Sequence, residues 1–268
     1  MWIAVALGVL IGAIMGIMGA GGGILAVPVL VAGLDWRMQQ AAPVALVAVA
    51  SGALVGAIDG FRHRLVRYKA AGLMAVCGVP MTHVGQQWAH ALPQFLLMGG
   101  FAVLMGLVAR RFYRQAQTGD SASDDVLRVA FISPSSGKFI WTPLTALVLG
   151  GIGAFTGLMT GLLGVGGGFL IVPLMRRFTN LGLPGVVATS LFLISLVSSG
   201  GVINALYLGA ELPLRETSSF VLAVVSGMLL GRHLSRRLAA RQVQIGFAVL
   251  LWVLATYLMV KAWGAYPL

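Results

Sequence analysis

Apolar residues run along this chain in long stretches, without the alternation or one-sided stripes of a soluble fold. Eight stretches approach the roughly 20 residues that a membrane helix needs. They are Met1–Met18, Ala41–Ile58, Ala70–Gln87 and Phe95–Ala109, then Pro143–Leu163, Pro184–Leu206, Phe220–Leu230 with its flanks, and Val243–Val260. Two shorter pieces, Ile24–Gly33 and Phe169–Met175, each follow a cluster of glycines. As a helix, the first would cross only about half of a hydrocarbon core. The pattern predicts an all-α polytopic membrane protein. About eight long transmembrane helices would be joined by two short segments, broken by Gly and Pro or re-entrant. Between the halves, Gln115–Lys138 is polar and turn-rich, and is read as a linker outside the hydrocarbon. Met1–Met18 carries no Lys or Arg and further apolar runs follow, so it is read as a first membrane helix, not a signal peptide.

Composition narrows the function. Of the 268 residues, 59% are hydrophobic and 9% charged, against about 25% charged in soluble domains. An ordinary globular enzyme is excluded. The net charge of +11 suggests nucleic acid until its placement is seen: the bases cluster between apolar runs, as in membrane proteins. No nucleic-acid partner is therefore expected; the partners are the lipid bilayer and a small anionic substrate. Whether the chain self-associates is left open. Cys77 is the single cysteine, which rules out an internal disulfide and a Cys-based zinc site. No P-loop, His-Glu-x-x-His or Gly-x-Ser-x-Gly motif occurs. No metal, cofactor or enzymatic activity is expected.

The two halves are related. Gly8, Gly12, Gly16, Gly19, Gly21, Gly22 and Gly23 recur 145 positions later as Gly153, Gly157, Gly161, Gly164, Gly166, Gly167 and Gly168, and Pro28 recurs as Pro173. Gly100–Leu104 recurs, identical, as Gly246–Leu250. This divides the chain into a first repeat (1–117), a cytoplasmic linker (118–138) and a second repeat (139–268). Duplicated halves with breaks at matching positions point to a secondary transporter, with its site at the breaks. Charge orients the halves. If each half crosses an odd number of times, 15 of the 18 bases share one side, leaving Arg37, Arg215 and Lys261 on the other. With eight simple crossings the split is 11 to 7. The positive-inside rule favours the first. Inverted repeats are expected in a bacterial inner membrane, with both termini outside.

The chemistry centres on Gly19-Ala20-Gly21-Gly22-Gly23-Ile24-Leu25-Ala26-Val27-Pro28 and its partner Gly164-Val165-Gly166-Gly167-Gly168-Phe169-Leu170-Ile171-Val172-Pro173. Non-helical backbone at membrane depth survives only inside protein or along a wet cavity. Glycine lets it approach a ligand, and a new helix start offers N–H groups to an anion. The glycines spaced by four (Gly8, Gly12, Gly16; Gly153, Gly157, Gly161) are read as helix-packing faces. Ser51, Ser198, Ser199 and Asn204 are further candidates to line a path. His83 is the coupling candidate, because intramembrane ionisable groups are functional by default. Asp59, at the end of its helix among Arg62 and Arg64, is read as a salt-bridge residue.

The twin Gly-x-Gly-Gly-Gly-x-Leu-x-Val-Pro motifs resemble the TauE/SafE, or sulfite exporter, family of membrane anion transporters. The resemblance covers nearly the whole chain. It implies export of sulfite, an organosulfonate or a related sulfur oxyanion by alternating access, an anion channel or a non-transporting scaffold being the alternatives. It also implies a Thr-Ser pair opening the helix after each break. The second half has Thr189-Ser190, whereas the first has Pro43-Val44 there. The substrate-binding set expected is Gly19, Gly21, Gly22, Gly23, Pro28, Ser51, Gly164, Gly166, Gly167, Gly168, Pro173, Thr189, Ser190 and Ser199.

Overall fold

The structure, a computed structural model, describes residues 2–118, 129–131, 139–210, 212–235 and 240–264. Among the described residues, ten α-helices follow one another: α1 (Trp2–Met18), α2 (Ala26–Leu34), α3 (Met38–Arg62), α4 (Tyr68–Ala91), α5 (Gln94–Thr118), α6 (Pro143–Leu163), α7 (Gly168–Phe178), α8 (Leu183–Tyr207), α9 (Leu214–Ser235) and α10 (Ala240–Gly264). Among the described residues there is no strand, and Ala130 and Thr179 form an isolated bridge. Val129 and Ala130 both donate to the Phe178 carbonyl at 3.0 Å, so the linker docks on the end of α7. Residues 119–128 and 132–138 of the linker lie outside the described residues.

Among the described residues, six helices are long and apolar enough to cross a membrane: α3, α5, α6, α8, α9 and α10. α1 has 17 residues, and α4 carries Lys69, His83, Gln86, Gln87 and His90. Neither joins the six, so eight spans is more than length and composition give. The short α2 and α7 fall where the two short segments were expected.

Local chemistry sets the ends. Pro143 opens α6 behind Thr142, whose hydroxyl accepts the Thr145 N–H at 3.1 Å. Gly164 closes it in the left-handed region at φ +70°, its N–H reaching the Thr160 carbonyl at 2.8 Å.

Small residues then set the packing. A Cβ on Gly12 would stand 2.0 Å from the Val224 carbonyl oxygen, and one on Gly16 would stand 2.3 Å from that of Met228. A Cβ on Gly157 would stand 2.1 Å from the Gly78 oxygen, and one on Gly161 would stand 2.1 Å from that of Thr82. So α1 lies parallel to α9, and α4 to α6, backbone against backbone, as the spacing by four suggests. Down the middle, α3 and α8 cross antiparallel. Gly56 faces Leu191, Gly60 faces Ala188 and Leu46 faces Gly201.

These directions sort the charges. One end of the bundle gathers the α3–α4 connection (Arg62–Lys69), the C-terminal part of α5 with Arg110, Arg111 and Arg114, Arg176 and Arg177 of α7, and Arg232 of α9. We call it the basic end. At the far end, Lys261 near the end of α10 binds Asp35, at the close of α2, at 2.7 Å. The start of α1 lies at this far end too, because α1 runs with α9.

Candidate functional site

Both glycine clusters lie at the crossing of α3 and α8. In the first, glycine density makes the α-helix costly, and Gly19–Leu25 forms a 3-10 stretch that runs straight into α2. Only Gly19 has a positive φ there, +71°. In the second, Gly164, Gly166 and Gly167 all have positive φ (+70°, +67°, +63°) and the chain turns sharply before α7 starts. The clusters meet. A Cβ on Gly23 would lie 3.3 Å from Val49 Cγ1 and 3.5 Å from the Val165 oxygen. One on Gly166 would lie 2.7 Å from Val49 Cγ1 and 3.1 Å from both Ile194 Cγ2 and Ser198 Oγ.

The glycines serve different ends. Gly22 packs on α1: a Cβ there would come within 2.6 Å of the Met15 backbone. Gly167 packs on α6, with a Cβ 2.8 Å from Thr160 Oγ1 and 2.9 Å from the Thr156 oxygen. Gly19 and Gly21 line a cavity, and a Cβ on Gly21 would meet nothing nearer than Phe112, at 3.8 Å. Pro28 is buried in the first turn of α2, where the missing N–H costs least. Pro173 sits inside α7 and lines the same cavity. Gly168 is buried as the first residue of α7.

The hydroxyls divide likewise. Ser51 donates to the Val47 carbonyl of its own helix at 2.8 Å. Thr189 Oγ1 accepts the Arg67 N–H at 3.0 Å and so ties α8 to the start of α4. Ser190 lies buried 3.8 Å from Met175 Sδ of α7. Ser199 is on the exposed face of α8, whereas its neighbour Ser198 is fully buried and its hydroxyl has no partner.

Two cavities open at opposite ends. The wide one, about 730 Å³, enters from the basic end between α1, α5, α7, α8, α9 and α10. Arg111, Arg176 and Arg232 stand on its wall, and Gly19, Gly21, Phe169 and Pro173 lie along it. The narrow one, about 50 Å³, lies at the far end between the start of α3, the ends of α4, α6 and α8, and Leu97 of α5. Its lining includes Pro43, Gln86, His90 and Gly161.

The two ends are held by residues at matching positions. Packing gives the register: Thr82 of α4 meets Gly161 as Met228 of α9 meets Gly16. Gly201 faces Leu46 and Thr82 as Gly56 faces Leu191 and Met228. Gln86 therefore matches Arg232, and Asn204 matches Asp59. At the far end Asn204 Nδ2 donates to Gln86 Oε1, and Gln86 Nε2 to the Gly201 carbonyl at 2.8 Å. His83 Nδ1 faces Asn204 Oδ1, and its Nε2 lies 2.9 Å from Gln87 Nε2. At the basic end Asp59 makes the salt bridge expected of it, but with Arg232 of α9 and not with Arg62 or Arg64 beside it in the sequence. The sequence alone does not reveal that a neutral amide pair stands at one end and an ion pair at the other; the contacts between helices do.

A bundle of apolar helices, broken twice by glycine and hollowed from its ends, is the architecture of a membrane transport protein. The chain belongs to the TauE/SafE sulfite exporter family, whose model matches residues 4–258. It is similar to a probable membrane transporter protein of Xylella fastidiosa strain Temecula1, 26% identical over 266 residues, covering 96% of this chain and 94% of the relative. It is also similar to the probable membrane transporter protein YjnA of Bacillus subtilis strain 168, at 24% over 256 residues, covering 92% and 95%. No solved structure matches the chain.

Proposed function

We propose that this protein is a secondary transporter that exports a small anion, sulfite, an organosulfonate or a related sulfur oxyanion, across the bacterial inner membrane by alternating access. The observation that carries the reading is the pair of unequal cavities at opposite ends of one bundle, about 730 and 50 Å³, with the glycine breaks between them. In this reading the halves are inverted repeats, supported by the antiparallel course of the matching helices α3 and α8. Exchange of the two halves' conformations would close the wide cavity and open the narrow one.

The basic end is taken as cytoplasmic, so both termini face outside and eight long helices cross. Arg111, Arg176 and Arg232 then raise the local anion concentration on the cytoplasmic side. Export down a potential negative inside gains about 2.3 kcal/mol per charge per 100 mV. An anion leaving this way needs no coupling proton, and His83 acts in closing the far end with Asn204.

The test is flux through proteoliposomes of purified protein under an imposed potential, with sulfite, sulfate, sulfoacetate, taurine and chloride as the panel. Saturable, potential-sensitive flux of one or a few sulfur oxyanions is expected. No flux above empty liposomes, from protein shown to be folded, would overturn the reading.

A further inference from the structure

The halves share a fold but differ in chemistry at their breaks. Thr156, Thr160, Thr189, Ser190 and Ser198 are buried hydroxyls of the second half. In the register that the packing sets, with Gly56 on Leu191 as Gly201 is on Leu46, the matching positions in the first half hold Ile11, Met15, Val44, Ala45 and Ala53, so Thr189-Ser190 stands against Val44-Ala45 and not Pro43-Val44. The backbone differs in the same sense. The first break continues helically into α2, with the Ala26 N–H bonded to the Gly23 carbonyl. The second stops at Gly167 in the left-handed region, and the 11-residue α7 starts afresh. The first N–H groups of a helix have no partner within it, and they carry the positive end of its dipole.

A second, independent feature points to a ligand at the glycine turn that leads into that helix. Ser198 is fully buried and its Oγ is unpartnered. That oxygen lies 3.1 Å from where a Cβ on Gly166 would stand. A buried hydroxyl left unpaired costs stability, so its retention at the glycine turn calls for an occupant.

We propose that the transported anion is held at the start of α7, by the Ser198 hydroxyl and the N–H groups of Gly168 and Phe169, and that the first-half break is its structural counterpart without a ligand role. This rests on the transport reading above and adds where the anion binds and of what kind it is. These donors carry no formal charge. They suit a monoanion presenting several acceptor oxygens, a sulfonate or hydrogen sulfite, better than a dianion such as sulfate. Phe169, 2% exposed, lies on the wall of the wide cavity, whereas Gly166, Gly167, Gly168 and Ser198 do not line it. The anion passes this ring to reach the site.

The experiment is saturable sulfite uptake into proteoliposomes by the wild-type chain, Ser198→Ala and Ser199→Ala, with melting temperature measured alongside. A hydrogen bond to a charged group gives about a tenfold effect or more. Ser198→Ala is expected to raise the half-saturating sulfite concentration about tenfold, with a melting temperature unchanged or higher, because the hydroxyl it removes was unpaired. Ser199→Ala should change neither, because the exposed face of α8 carries Ser199 away from the proposed site, although the motif placed it in the expected binding set. Methanesulfonate should compete with sulfite better than sulfate does. An unchanged half-saturation in Ser198→Ala, or a lowered melting temperature, would overturn the assignment. Stronger competition by sulfate would overturn the monoanion preference. Absence of saturable uptake by the wild-type chain would remove the transport reading, and this site with it.

Discussion

Neighbouring glycines in one motif have separate duties. A side chain on Gly22 must enter the backbone of α1, 2.6 Å away, and overpacking of this kind costs about 1–3 kcal/mol or more. Gly22→Val is therefore expected to lower the yield of folded protein, read by size-exclusion chromatography in detergent. Gly21 faces the wide cavity with room for a Cβ, so Gly21→Ala should fold like the wild-type chain and keep its anion flux, as a break without a ligand role requires. The motif was legible in the sequence because glycine is rare at such density. Which glycine touches a helix and which touches a cavity was not, since that depends on which helix returns to meet it. Serine shows the same limit. A Ser-Ser pair reads identically at both positions, and only the rotation of α8 puts Ser198 inside and Ser199 outside.

At the scale of helices, the bundle is held by backbone contact between α1 and α9 and between α4 and α6. Gly157→Leu would drive a side chain into the Gly78 carbonyl, 2.1 Å from the first added carbon, and should unfold the protein in detergent or lower its melting temperature sharply. Gly151, in the same helix, is exposed and meets nothing within 4 Å, so Gly151→Leu should leave the melting temperature nearly unchanged. The long helices α3, α5, α6, α8 and α10 were legible as apolar runs, because in a bilayer every turn must be apolar whichever way it faces. The ends of α4 and α9 were less so, because polar groups such as Gln86 and Arg232 serve contacts that only the assembled bundle defines. The short α2 and α7 were legible through Gly and Pro, but their difference, a continuous 3-10 stretch against a sharp turn, was not. Both breaks have the same glycine pattern, and the turn is set by contacts such as those of Gly166 with Val49 and Ile194.

For the molecule as a whole, the sequence repeat, the opposed directions of α3 and α8 and the two unequal cavities fit one motion, in which the ends open in turn. The far end is held closed by Gln86, Asn204 and the Gly201 carbonyl. Removing that hold should shift the population toward the state open at the far end, since a few kcal/mol separates such states. Two reporters read both ends: in a chain with Cys77 replaced by Ala, Gln39→Cys in the narrow cavity and Gln115→Cys in the wide one, each reacted with a membrane-impermeant maleimide on protein in detergent. With Asn204 intact, the Gln115→Cys reporter should react quickly and the Gln39→Cys reporter slowly. Adding Asn204→Ala should raise the rate at position 39 and lower it at position 115. A rise at both positions would mean that the two ends open together, and a rise at position 39 with no change at position 115 would mean that they open independently. Either result would contradict alternating access.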